Sequence, residues 1–138
     1  MLGGLLPGRK RGDGATTPPV RGLLPVRNGK ELLGAQNRRK RVRRIAQLLA
    51  FPEAHRRDLV DTAIEWYAAF VQGLPASENH HHAGYGGMLD HGLEVAVNSL
   101  QRRQGHILPP HAEPERIVHE ADVWSYALFT AALVPDLG

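Results

Sequence analysis

The sequence predicts an all-α protein, and three observations carry that prediction. Apolar residues recur at three- and four-residue spacing in four successive segments. No segment alternates with the two-residue period of a strand. Glycine or proline stands where the helical segments end or begin. At 138 residues the chain makes one domain at most, with room for a modest core.

Residues 1–30 concentrate Gly and Pro and show little apolar periodicity, so they read as a flexible basic arm ahead of a helical domain over 31–138. A first helix is expected from Glu31 to Ala50, with Val42, Ile45, Leu48 and Leu49 as its apolar stripe. Phe51-Pro52 breaks it, because the residue before proline is pushed out of helical geometry. A second helix follows from Pro52 or Glu53 to Gln72. Its stripe is Leu59, Ala63, Trp66, Tyr67, Phe70, Val71 and Leu74, expected to face the core. A third helix runs from about Gly87 to Gln104, burying Leu89, Leu93, Ala96, Val97 and Leu100, and Gly105 ends it. After a loop marked by Pro109, Pro110 and Pro114, a fourth helix spans Glu115 to Val134 with Ile117, Ala121, Trp124, Leu128 and Ala131 inward.

Charge is distributed unevenly. Residues 1–44 hold 12 Lys/Arg against Asp13 and Glu31, a charge of +10, while the remainder carries 5 basic and 12 acidic residues, a charge of −7. The dense part is Arg38, Arg39, Lys40, Arg41, Arg43 and Arg44. A basic segment on an acidic body suits a polyanion, nucleic acid before anionic membrane; a solvated helix face is the competing explanation. The absence of cysteine excludes disulfides and thiolate metal sites. Any metal must take nitrogen and oxygen ligands, which suits Mn, Mg, Fe, Ni or Zn. Met1–Leu6 is too short for a secretory signal. The apolar run Ala127–Val134 falls far below the roughly 20 residues that span a bilayer. A soluble, cytoplasmic chain without membrane insertion is the expectation.

Four of the eight histidines fall within residues 80–91. His80, His81 and His82 precede the glycines Gly84, Gly86 and Gly87, and His91 follows on the third helix. A helix rises ~1.5 Å per residue, so His91 lies about 6 Å from that helix's start, within reach of a loop folded back over it. Such a fold-back needs positive φ, which glycine supplies. Glu94 shares the face of His91 and is placed to orient its ring. Asp90 has a sufficient role beside the positive end of the helix dipole. His55, His106, His111 and His119 lack such context and read as surface residues.

The stretch Leu74-Pro75-Ala76-Ser77-Glu78-Asn79-His80-His81-His82-Ala83-Gly84-Tyr85-Gly86-Gly87 resembles the signature of the MobH class of HD-superfamily conjugative relaxases. Asp90-His91-Gly92-Leu93-Glu94-Val95-Ala96 is similar to the helix on which HD proteins place their first metal histidine. Residues 124–133 look like the helix leading into the HD dyad, and the likeness extends over about 22–138.

This resemblance implies an HD-domain-like helical bundle holding a divalent metal near a phosphodiester. His91 would match the first metal histidine, Asp136 the dyad aspartate, and His80, His81 and His82 the additional histidines of the class. The implied partners are DNA at an origin of transfer and relaxosome or coupling proteins of a conjugative plasmid or integrating conjugative element. Two features depart from the pattern. Pro135 stands where the dyad histidine belongs, and the chain ends before the helix that bears the last aspartate. The expectation is therefore a relaxase N-terminal part, incomplete at its C-terminus and with little cleavage alone, or one that keeps a weak metal site without turnover. Uncovered apolar faces around Trp124, Leu128 and Leu133 would promote self-association. The alternative, from a different class, is a non-enzymatic helical module that binds DNA or docks in the relaxosome through residues 9–44.

Overall fold

The computed structural model describes residues 25–76 and 86–134, and every regular element among them is a helix. Asn28 starts α1 (Gly29–Leu32): its side-chain oxygen accepts from the Glu31 amide at 2.9 Å. A turn separates α1 from α2 (Gln36–Leu49). The single helix expected over Glu31–Ala50 is thus two. Arg38, on α2, reaches back so that its Nη1 donates to the Leu32 carbonyl at 2.9 Å, giving the C-terminal end of the short first helix a partner. Ala50 closes α2 in the left-handed conformation (φ 52°, ψ 30°), immediately before Phe51-Pro52.

Glu53–His55, Arg56–Asp61 and Thr62–Val71 run on as one helix, α3, whose middle stretch is π-helical. There the Thr62 amide donates to the Arg57 carbonyl five residues back, and Thr62 Oγ1 donates to the same oxygen at 3.0 Å. α4 (Gly87–Arg103) and α5 (Pro114–Leu133) complete the described part, with Pro114 in the first turn of α5, where its missing N–H is harmless.

The core joins Ile45 and Leu49 of α2, Ile64 and Val71 of α3, Leu93 of α4 and Phe129 of α5. The stripe expected on α4 is buried as read, with Val97 only partly so. That of α3 is corrected. Val60, Ile64, Tyr67, Ala68 and Val71 face inward, whereas Trp66 is 76% and Phe70 72% exposed, and Leu59 and Leu74 also reach the surface. Two neighbouring faces of α3 satisfy helical spacing, and packing chooses the slimmer one. α4 comes so close that the Tyr67 hydroxyl donates to the Met88 carbonyl at 2.9 Å, and a Cβ at Gly92 would collide with the tyrosine ring. The π stretch also breaks the 3.6-residue count between Leu59 and the later positions.

On α5 the buried residues are Phe129, Ala132 and Leu133. The expected Ile117, Ala121, Trp124 and Leu128 are half-buried and Ala131 is exposed. Tyr126 lies between Phe51 and Phe129, at ring-centroid distances of 6.3 and 6.1 Å. Uncovered apolar surface is present, but it sits at Trp66, Phe70, Val118 and Val123, while Leu133 is inside. No described helix is long and apolar enough to cross a membrane.

Candidate functional site

α2 carries six cations and no carboxylate, and the fold divides them. Arg38 and Arg41 lie on the same side as Ile45 and Leu49 and are half-buried; Arg39, Lys40, Arg43 and Arg44 are exposed. The division follows from the helical repeat, since positions 38, 41, 45 and 49 return to one face at three- and four-residue steps.

Arg38 forms the tightest contact. Its Nε and Nη2 donate to the two oxygens of Asp90 at 2.9 Å each, Nη1 to Leu32 O, and Nη2 also to Gly86 O at 3.4 Å. A planar guanidinium matches a carboxylate in this two-pronged way, which adds both strength and geometric specificity. The hydrogen bond to Asp90 raises the Arg38 pKa above its ordinary value, outweighing the opposite pull of burial. Arg41 adds a looser pair, Nη1 to Asp90 at 3.5 Å and Nη2 to Glu94 at 3.8 Å. These contacts bind α2 to the first two turns of α4. Gly86 starts α4 at φ 76°, the left-handed geometry that the glycine-rich approach to this helix foreshadowed.

His91 therefore stands on a helix turn clamped by arginines. It is half-buried and engaged in an interaction of its own. Its neighbour Asp90 does more than face the helix dipole, and Glu94 pairs with Arg41. His80, His81, His82, Asp136 and Pro135 lie outside the described residues, and among the described ones no three potential ligands gather. His55, His106, His111 and His119 are exposed, as expected of surface residues.

Next to the exposed cations is an open groove between α2 and α3, of ≈ 360 Å³. Arg39 and Arg43 edge it on α2, and Arg56 faces them from α3 with Asp61 and Glu65. Asp61 holds Arg56 through an Nε···Oδ2 contact of 3.5 Å. Arg56 was not singled out by the sequence, because it lies outside the basic run. Its signal was weak: the turn at Phe51-Pro52 must bring the start of α3 back beside α2.

Neither the comparison with curated proteins nor that with solved structures gives a match. A family model, TraI_2, described as "Putative helicase", matches residues 22–138, which include α1 to α5. With that match over most of its length, the chain belongs to the TraI_2 family, of the conjugative relaxase type.

Proposed function

We propose that this chain is the DNA-engaging helical part of a conjugative relaxase of the MobH, HD-superfamily class, and that it holds DNA through α2. The carrying observation is the division of the α2 cations. Arg39, Lys40, Arg43 and Arg44 are exposed, with no ion-pair partner among the described residues, while Arg38 and Arg41 are committed to the fold. Four uncompensated cations on one helix attract a phosphate backbone irrespective of base sequence and release its counterions. Membership of the TraI_2 family supports DNA and relaxosome proteins as partners.

The same proposal assigns His80, His81, His82, His91 and Asp136 to a divalent ion, which when bound would supply a water of lowered pKa beside the phosphodiester. Pro135 offers no imidazole, so the role proposed for this chain is to retain DNA rather than to cut it. A purely non-enzymatic docking module shares the same DNA surface and differs only in lacking the metal.

Fluorescence anisotropy with labelled DNA across a salt series tests the first part. Tight binding that weakens steeply with salt is expected, and no binding at low salt would refute it. Incubation of supercoiled plasmid with the chain and Mn²⁺ tests the second. Little nicking is expected, and robust cleavage abolished by His91→Ala would overturn the retention role.

A further inference from the structure

We infer that the groove between α2 and α3 seats one unpaired nucleotide of a DNA strand, its phosphate at Arg39, Arg43 and Arg56 and its base or sugar on an apolar floor. This deepens the DNA-binding reading of α2 and rests on it. Arg39 and Arg43 are four residues apart and share one flank of α2, and Arg56 converges on the same groove from α3. Three guanidiniums around one opening suit phosphate oxygens, which they can bind two-pronged. Leu33, Val42 and Ala46, each partly exposed, form the floor, with the buried Ile64 beneath them. A floor of that kind adds nothing for a bare phosphate; it favours a ligand with an apolar face beside its charge.

Size narrows the ligand further. A volume of ≈ 360 Å³ is at the lower end of the ~300–1,000 Å³ typical of small-molecule pockets. One nucleotide can enter it. A duplex cannot, because its bases are stacked inside a cylinder wider than the gap between two packed helices. An unpaired strand presents base faces and flexible phosphates together, the combination that strand-binding grooves exploit.

The two carboxylates of the groove act differently. Asp61 fixes Arg56 in place, while Glu65 is half-buried there and opposes a phosphate. Removing the charge of Glu65 should therefore improve binding, an outcome that a merely structural groove would not give.

The test compares affinities for a short oligothymidylate strand and for a duplex, by anisotropy at fixed salt, on the full chain. Arg56→Gln should weaken strand binding about 5-fold, as loss of one phosphate contact does, and leave the duplex nearly unchanged. Glu65→Gln should tighten strand binding severalfold. Thermal melts followed by circular dichroism confirm that each variant folds, and Arg56→Lys serves if Arg56→Gln does not. Strand affinity unchanged in both variants, or equal effects on strand and duplex, would overturn the groove assignment. Tight binding of thymidine monophosphate without any strand preference would assign the groove to a free nucleotide and overturn it as well. If neutralising Arg39, Lys40, Arg43 and Arg44 abolishes binding while Arg56→Gln changes nothing, the groove fails and the DNA reading of α2 stands. If the unaltered chain binds neither DNA, both fail.

Discussion

Asp90 and Arg38 meet fork to fork, with both carboxylate oxygens 2.9 Å from guanidinium nitrogens, and this pair joins the second helix to the start of the fourth. With the Arg38 side chain 16% and the Asp90 side chain 26% exposed, the pair falls between a surface ion pair, worth about 0–1 kcal/mol, and a buried one, whose breakage costs about 3–5 kcal/mol. Asp90→Ala should destabilise the protein by about 2 kcal/mol, read from urea unfolding. Exchanging the two residues should not restore stability, because Arg38 also donates to Leu32 and Gly86 and those bonds are lost in the exchange. Full recovery in the exchanged variant would show that the pair acts by charge alone.

The contact between Tyr67 and the fourth helix makes a second prediction. Tyr67→Phe removes a buried hydrogen bond to Met88 O, a loss of about 1 kcal/mol. Gly92→Ala places a methyl against the tyrosine ring, an overpacking that should cost about 1–3 kcal/mol. Combined, the two should cost less than their sum, since the hydroxyl is one of the atoms struck. Strict additivity in denaturant titrations would contradict the close approach.

Replacing Trp66 and Phe70 by serine should change stability by only about 0.5 kcal/mol each, whereas Ile64→Ala should cost about 2–5 kcal/mol. The exposed aromatics should also make Trp66 fluorescence readily quenched by acrylamide in the monomer. Severe destabilisation by Trp66→Ser would restore the aromatic face of α3 to the core.

Glu120 accepts from Arg116 at 2.8 Å and from Trp124 Nε1 at 3.1 Å, and these hydrogen bonds, that of Arg116 first, hold its carboxyl below the usual carboxylate range. A lowered folded-state pKa stabilises the fold above the unfolded value, and that contribution fades as pH falls through the lowered one. The carboxylate lies at the surface with its side chain 29% exposed, where solvent screens the interaction, so the effect on stability is small. NMR titration of the Glu120 side chain should give a midpoint below that of an unstructured glutamate, and Trp124→Phe should move it upward. An unmoved midpoint would dismiss the Trp124 contact.

Helix type and order were legible because 3.6-residue periodicity and the Pro/Gly punctuation are local properties. The inward face of α3 was not, because Trp66 and Ile64 both fit a helical stripe and only the closeness of α4 at Gly92 selects between them. Within the candidate site, the basic density of residues 38–44 was evident from charge. The commitment of Arg38 and Arg41 to Asp90 depends on a partner about fifty residues away, although their phase with Ile45 and Leu49 hinted at it. Arg56 was invisible for the same reason: its proximity to Arg39 and Arg43 exists only after the turn at Pro52.

The central claim is that the outward cations of α2 serve DNA while the inward pair serves the fold. Its most direct test is DNA affinity as a function of salt for the variant with Arg39, Lys40, Arg43 and Arg44 all changed to Gln, measured together with its urea midpoint. The account predicts that the slope of log affinity against log salt becomes shallower by about 3, with the midpoint essentially unchanged. An unaltered slope and affinity in a well-folded variant would contradict it.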